Sequence, residues 1–121
     1  MIVYVEDNPF NQRLFQRMLS KRDICVDIQP SYEDGYKSIL EKKPDIIFVD
    51  YHIRGKHTGL DLVLRLREEH IKTPIVIVTI FATLTDKKRA IASGCNHLLS
   101  KPYGMTELLQ LVDLYIPNNL R

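Results

Sequence analysis

Several absences narrow the function of this sequence before any motif is considered. No glycine-rich loop follows the first strand-like run, Ile2-Val3-Tyr4-Val5, so nothing there cradles a nucleotide or flavin phosphate. The two cysteines, Cys25 and Cys95, are far apart and form no CxxC pair. They read as reduced, partly buried thiols, and the chain as a cytoplasmic protein. No apolar run approaches the length of a membrane span, and no signal-peptide pattern opens the chain. An excess of one charge is also missing. Seventeen basic against fifteen acidic residues leave a formal charge of +2, which gives no reason to expect nucleic acid or an anionic membrane as the main partner. A linker and a low-complexity tract are lacking, so residues 1–121 read as one domain. Strand-like sequence starts abruptly at Ile2, which suggests a piece cut from a longer polypeptide.

What is present alternates regularly. Ile2–Val5, Asp45–Val49 and Ile75–Val78 are continuous, β-rich apolar runs, the kind that suits strands covered by helices on both faces. Ile24–Gln29 carries a charge and Asn96–Ser100 has polar ends, so both read as edge strands. Helical stripes fill the gaps. These are Phe10, Leu14 and Met18 with Phe15 and Leu19; then Tyr36, Ile39 and Leu40 after a Ser31/Asp34 capping signal. Leu60, Val63 and Leu64 form the third. Thr85 and Asp86 open a fourth helix that Gly94 ends. Met105, Leu108, Leu109, Val112, Tyr115 and Ile116 form the fifth, closed by Pro117. Five β-α repeats with two edge strands predict an α/β, flavodoxin-like doubly wound parallel sheet of order 2-1-3-4-5.

In such sheets ligands bind beyond the carboxyl ends of the strands. There the sequence places Glu6 and Asp7 after the first strand, Asp50 after the third, Thr79 at the end of the fourth and Lys101 after the fifth. Two carboxylates about 4 Å apart repel by roughly 4 kcal/mol at an effective dielectric near 20. Three carboxylates outnumber Lys101, so a hard divalent cation is expected, and an all-oxygen ligand set suits magnesium. Zinc fits poorly, because no histidine or cysteine joins the rim at ligand spacing. Asp50 is then positioned as a nucleophile toward phosphorus. Lys101 and Thr79 would meet the phosphoryl oxygens, since phosphoryl transfer depends mainly on positioning and charge neutralisation. No nucleophile–base pair beyond Asp50 supports a true hydrolase.

These residues give the chain a resemblance to the response-regulator receiver domains of two-component phosphorelays, over essentially its whole length. Val5-Glu6-Asp7-Asn8 matches the acidic pair, Val49-Asp50 the phosphoacceptor, Val78-Thr79 the hydroxyl position, and Ser100-Lys101-Pro102-Tyr103 the lysine-proline-aromatic signature. Gly94-Cys95-Asn96 resembles the turn before the last strand. The Glu6–Asn11 stretch is similar to hybrid-kinase or stand-alone receivers. The resemblance implies magnesium held directly by Asp7 and Asp50, by Glu6 through water and by the backbone carbonyl of His52. It also implies a cis Lys101-Pro102 peptide, a histidine kinase or histidine phosphotransfer domain as phosphodonor, and homodimerisation or an output partner after phosphorylation.

Some positions depart from the family pattern. Leu98 stands where an aromatic switch residue is usual, Ile80 where a small residue is usual, and the Ile53–Gly59 loop lacks methionine-proline and has one residue more than the family pattern. Bulky Phe81 is expected to slow water attack on the phosphorylated state. Leu98 and Ile80 favour the alternative, a phosphate-independent interaction module. His57, His70 and His97 read as solvent-facing or edge residues, and Lys87-Lys88-Arg89 as a solvated face or an acidic-partner site.

Overall fold

The computed structural model describes residues 1–80 and 83–117. Its strands are β1 (Ile2–Val5), β2 (Val26–Gln29), β3 (Ile46–Asp50), β4 (Ile75–Thr79) and β5 (His97–Ser100). The helices are α1 (Pro9–Met18), α2 (Tyr32–Lys42), α3 (Gly59–Glu68), α4 (Leu84–Ala92) and α5 (Met105–Tyr115). All strand pairs are parallel and the order is β2-β1-β3-β4-β5, as expected from the sequence. Every residue of β1, β3 and β4 is buried, whereas every residue of β2 is only half-buried. The charge in β2 therefore marks an edge.

Alternation along each strand builds two core layers. Ile2, Tyr4, Ile46, Phe48, Val76 and Val78 face α1 and α5, meeting Phe15, Leu108 and Val112. Val3, Val5, Ile47, Val49, Ile75 and Ile77 face the other side, meeting Ile39, Leu62, Leu66 and Ala90. Phe15 stacks on Tyr4 with centroids 4.2 Å apart and meets Phe48 edge-on at 5.1 Å.

Several helical details differ from the expectations. Phe10 and Leu40 are exposed, so the α1 core face is Phe15 and Leu19, and Ile39 rather than Leu40 anchors α2. Helix α3 buries Leu62, Val63 and Leu66, while Leu64 is exposed. Five apolar side chains among Leu60–Leu66 left its inward stripe ambiguous; a Thr58–Asp61 capping box and the seat of Gly59 fix its rotation. Met105 of α5 is likewise exposed. Helix α4 is capped by Thr83, whose Oγ1 accepts from the Asp86 amide at 3.1 Å, so it starts earlier than Thr85. Ser31 Oγ accepts from the Asp34 amide at 3.1 Å, as the capping signal required. Both cysteines are free, and Cys25 is exposed rather than partly buried.

Candidate functional site

The carboxyl ends of the strands bring the rim residues together because the parallel register aligns them. Thr79 pairs with Ser100 across β4 and β5, and the Lys101 amide donates to the Thr79 carbonyl at 3.0 Å. The Tyr51 amide donates to the Val78 carbonyl at 3.0 Å, which fixes the chain leaving Asp50. Glu6, Asp7, Asp50, His52, Thr79 and Lys101 all line one cavity of about 260 Å³. The sequence-derived set is thus assembled in one place.

Lys101 is the centre of its charge network. Its Nζ lies 2.5 Å from Asp50 Oδ2 and 3.2 Å from Glu6 Oε1. Burial works to lower the Lys101 pKa, but Asp50 and Glu6 together outweigh it and hold the ammonium above its ordinary value. Glu6 is 1% exposed. Burial, then the adjacent Asp50 carboxylate, pushes the Glu6 carboxyl upward, while Lys101 pulls it back. The remaining Glu6 partners are Tyr4 Oη at 3.1 Å and the Asn8 amide at 3.3 Å. Tyr4 is buried, and burial with Tyr103, Glu6 and Asp50 raises its pKa far above the ordinary range, so it serves as a neutral donor. Asp50 Oδ1 accepts from the His52 amide at 2.7 Å. Buried Thr79 donates from Oγ1 to the Ile80 carbonyl at 3.2 Å.

Asp7 has a different partner. Its Oδ2 accepts from both the backbone amide and Nε of Arg54, each at 2.9 Å. Burial alone would raise the Asp7 pKa, yet the Arg54 amide and guanidinium outweigh it and hold the carboxyl below its ordinary value. Consequently, although three carboxylates line the cavity, no group of three His, Cys, Asp or Glu side chains among the described residues is gathered as a ready-made cation cage. Two are turned toward Lys101 and one toward Arg54. The donor chemistry still fits a hard cation: the cavity presents carboxylate oxygens in excess of Lys101 and no thiolate.

Backbone detail supports the site. The Lys101-Pro102 peptide is cis. Gly59, the first residue of α3, lies against the end of β3, where an added Cβ would stand 2.0 Å from the Asp50 carbonyl oxygen. Gln12 Nε2 donates to the Glu6 carbonyl at 2.6 Å. Sequence reasoning missed Tyr4, Gln12, Arg54 and Gly59. Tyr4 was within reach, since two residues' spacing along an extended chain puts it on the same side as Glu6. Nothing in the spacing marked Arg54.

Ile80 is exposed and lines both this cavity and an adjoining apolar groove formed with Phe10, Leu14, Pro102 and Tyr103. Leu98 is half-buried against the α3–α4 core layer. Phe81 lies outside the described residues. Of the histidines, His57 packs tilted against Tyr32 with ring centroids 4.5 Å apart, and His97 contacts Tyr115 Oη through Nε2 at 2.7 Å. Lys87, Lys88 and Arg89 are exposed.

The family model for the response regulator receiver domain matches residues 2–113. The chain belongs to that family. It is 28% identical over 113 residues to the transcriptional regulatory protein DltR of Streptococcus agalactiae, covering 93% of this chain and 50% of DltR. The chain thus spans half the length of that curated relative. The crystallised receiver domain of NtrX from Brucella abortus superposes with a TM-score of 0.87 at 20% identity, covering 96% of this chain and 98% of that one. The receiver domain of Ssk1, crystallised with the histidine phosphotransfer protein Ypd1 of Saccharomyces cerevisiae, gives 0.84 at 23% identity, covering 94% and 86%. This chain is a receiver domain of two-component signalling, and no helix among its described residues is long and apolar enough to cross a membrane.

Proposed function

We propose that Asp50 accepts a phosphoryl group from a phosphohistidine on a histidine kinase or histidine phosphotransfer domain, with Mg2+ as cofactor. An Asp50 oxygen forms a bond to phosphorus as the phosphorus–nitrogen bond breaks, and the nitrogen's electron pair returns to the imidazole. Lys101 offsets charge at the incoming phosphoryl oxygens, and the Thr79 hydroxyl turns from the Ile80 carbonyl to donate to one of them. The His52 amide, bonded to Asp50 Oδ1, keeps the nucleophile oriented. Asp7 and Asp50, the His52 carbonyl and, through water, Glu6 would hold the magnesium ion. When bound, that ion supplies further charge neutralisation.

The observation that carries this reading is the reach of one ammonium, Lys101, to both Asp50 and Glu6 in a cavity that also holds Thr79 and Asp7. The adjoining groove supplies a place for the donor. Its apolar lining, with Phe10 at 64% exposure, opens beside Lys101 and suits the side of a helix presenting a histidine. A receiver crystallised with a histidine phosphotransfer protein is among the similar structures. On this reading the domain is a cytoplasmic switch rather than a turnover enzyme, hydrolysing at most its own acyl phosphate slowly. The added charge then alters binding to an output partner or a second copy.

The test is transfer of labelled phosphate from a phosphorylated histidine phosphotransfer protein. Label should appear on the wild-type chain, survive acid better than phosphohistidine and be lost in alkali, and be absent from Asp50→Asn. Equal labelling of Asp50→Asn would overturn the assignment.

A further inference from the structure

Arg54 is bound to Asp7, one of the carboxylates that line the rim cavity. It lies in the loop between β3 and α3, four residues beyond Asp50, and sends two donors to a single oxygen of Asp7. Neither donor goes to Asp7 Oδ1. The guanidinium thus provides positive charge at a carboxylate that lines the rim cavity, although Arg54 itself does not line it. The three carboxylates of the rim exceed Lys101 by two charges, a surplus equal to one divalent cation, and Arg54, paired with Asp7, cancels half of it.

The two contacts from Arg54 differ in how easily they break. The amide is fixed by the chain, between buried Ile53 and the Gly55 turn, where φ is +124° and the space around the α-carbon is open. The side chain is 83% exposed, against 17% for Asp7. Releasing the guanidinium therefore uncovers little apolar surface and leaves the amide bond intact. An outlet is also at hand: Arg54 lines a neighbouring pocket with Glu33, whose carboxylate offers an alternative anionic partner.

We propose that the Arg54 guanidinium is an internal competitor for the divalent cation, so that metal binding at this rim is an exchange in which the arginine side chain leaves Asp7. Resting on the phosphoacceptor reading above, the inference adds a determinant of metal affinity. Arg54 holds the Asp7 carboxylate in place while the ion is absent, at the expense of weaker binding. It is a positioning residue and does not touch the phosphoryl group.

The experiment is a magnesium titration of the wild-type domain, Arg54→Ala and Arg54→Lys, followed by amide and arginine Nε–H resonances in heteronuclear NMR. Arg54→Ala should bind magnesium about two- to fivefold more tightly, the range expected for loss of one exposed ion pair. Arg54→Lys, which keeps the charge, should remain near wild type. In the wild-type protein the Arg54 Nε–H resonance should move to the position of a free arginine as magnesium saturates. Equal or weaker binding by Arg54→Ala, or an Nε–H resonance unmoved at saturation, overturns the exchange. If magnesium binds neither protein, the metal-dependent phosphoacceptor reading falls with it; if both bind equally, only the exchange falls.

Discussion

Gly59 and Asp50 are in backbone contact: a β-carbon at position 59 would lie 2.0 Å from the Asp50 carbonyl oxygen and 2.9 Å from Val49 Cγ1. Helix α3 can therefore pack against the end of β3 only if its first residue has no side chain. Gly59→Ala should lower unfolding free energy by about 2–3 kcal/mol, because overpacking against backbone has little room to relax. Urea denaturation measures this, and a loss within error of zero would show that the contact relaxes freely.

Asp27 provides a pH-dependent link between β2 and α2. Its carboxylate accepts from Gln29 Nε2 at 2.9 and 3.1 Å, from Ser38 Oγ, and pairs with Lys42 Nζ at 3.0 Å. Burial opposes ionisation, but Ser38, Gln29 and Lys42 outweigh it and hold the pKa below the ordinary 3.8. A depressed folded-state pKa means the stabilisation is present above the unfolded value and disappears as pH falls through the folded one. Asp27→Asn should cost about 1–2 kcal/mol near neutrality and much less at a pH low enough to protonate Asp27 in the folded state. Paired denaturation curves at the two pH values check the sign; a cost that grows in acid contradicts it.

Lys101→Ala removes the cation shared by Glu6 and Asp50, leaving two buried carboxylates facing each other. In chelator the variant should lose about 2–3 kcal/mol of stability, the scale for breaking a buried charge-assisted pair. Saturating magnesium should restore part of the loss. Thermal melting with and without the ion measures both effects, and a variant indifferent to magnesium would argue against a cation at this rim.

Phe10 tests the proposed docking groove separately from the chemistry. Phe10→Ala should slow transfer from a histidine phosphotransfer protein by about tenfold, as expected for truncating one aromatic anchor worth 1–2 kcal/mol. It should leave phosphorylation by a small-molecule donor unchanged, because Phe10 lies outside the charged cavity. Equal slowing with both donors would mean that Phe10 supports the site rather than the partner.

The strand order and rim were legible because each depends on a strong local signal: continuous apolar runs for β1, β3 and β4, and polar residues where those runs stop. Phe10 misled because an apolar residue at helical spacing reads as core until the packing of Phe15 against Tyr4 and Phe48 fixes which side of α1 turns inward. Helix α3 was ambiguous for the same reason. Arg54 could not be read because its partner, Asp7, is 47 residues away and only the β1–β3 pairing brings their loops together. The excess negative charge was legible; the guanidinium that offsets it was not.

Intact-protein mass spectrometry after incubation with acetyl phosphate tests the central claim most directly, with the wild-type domain and Asp50→Asn each measured with magnesium and with chelator. A receiver whose Asp50 is the phosphoacceptor gains the mass of one phosphoryl group only as wild type with magnesium, and alkali removes it. A wild-type domain that stays unmodified under those conditions, or an Asp50→Asn variant that gains the same mass, would contradict the account.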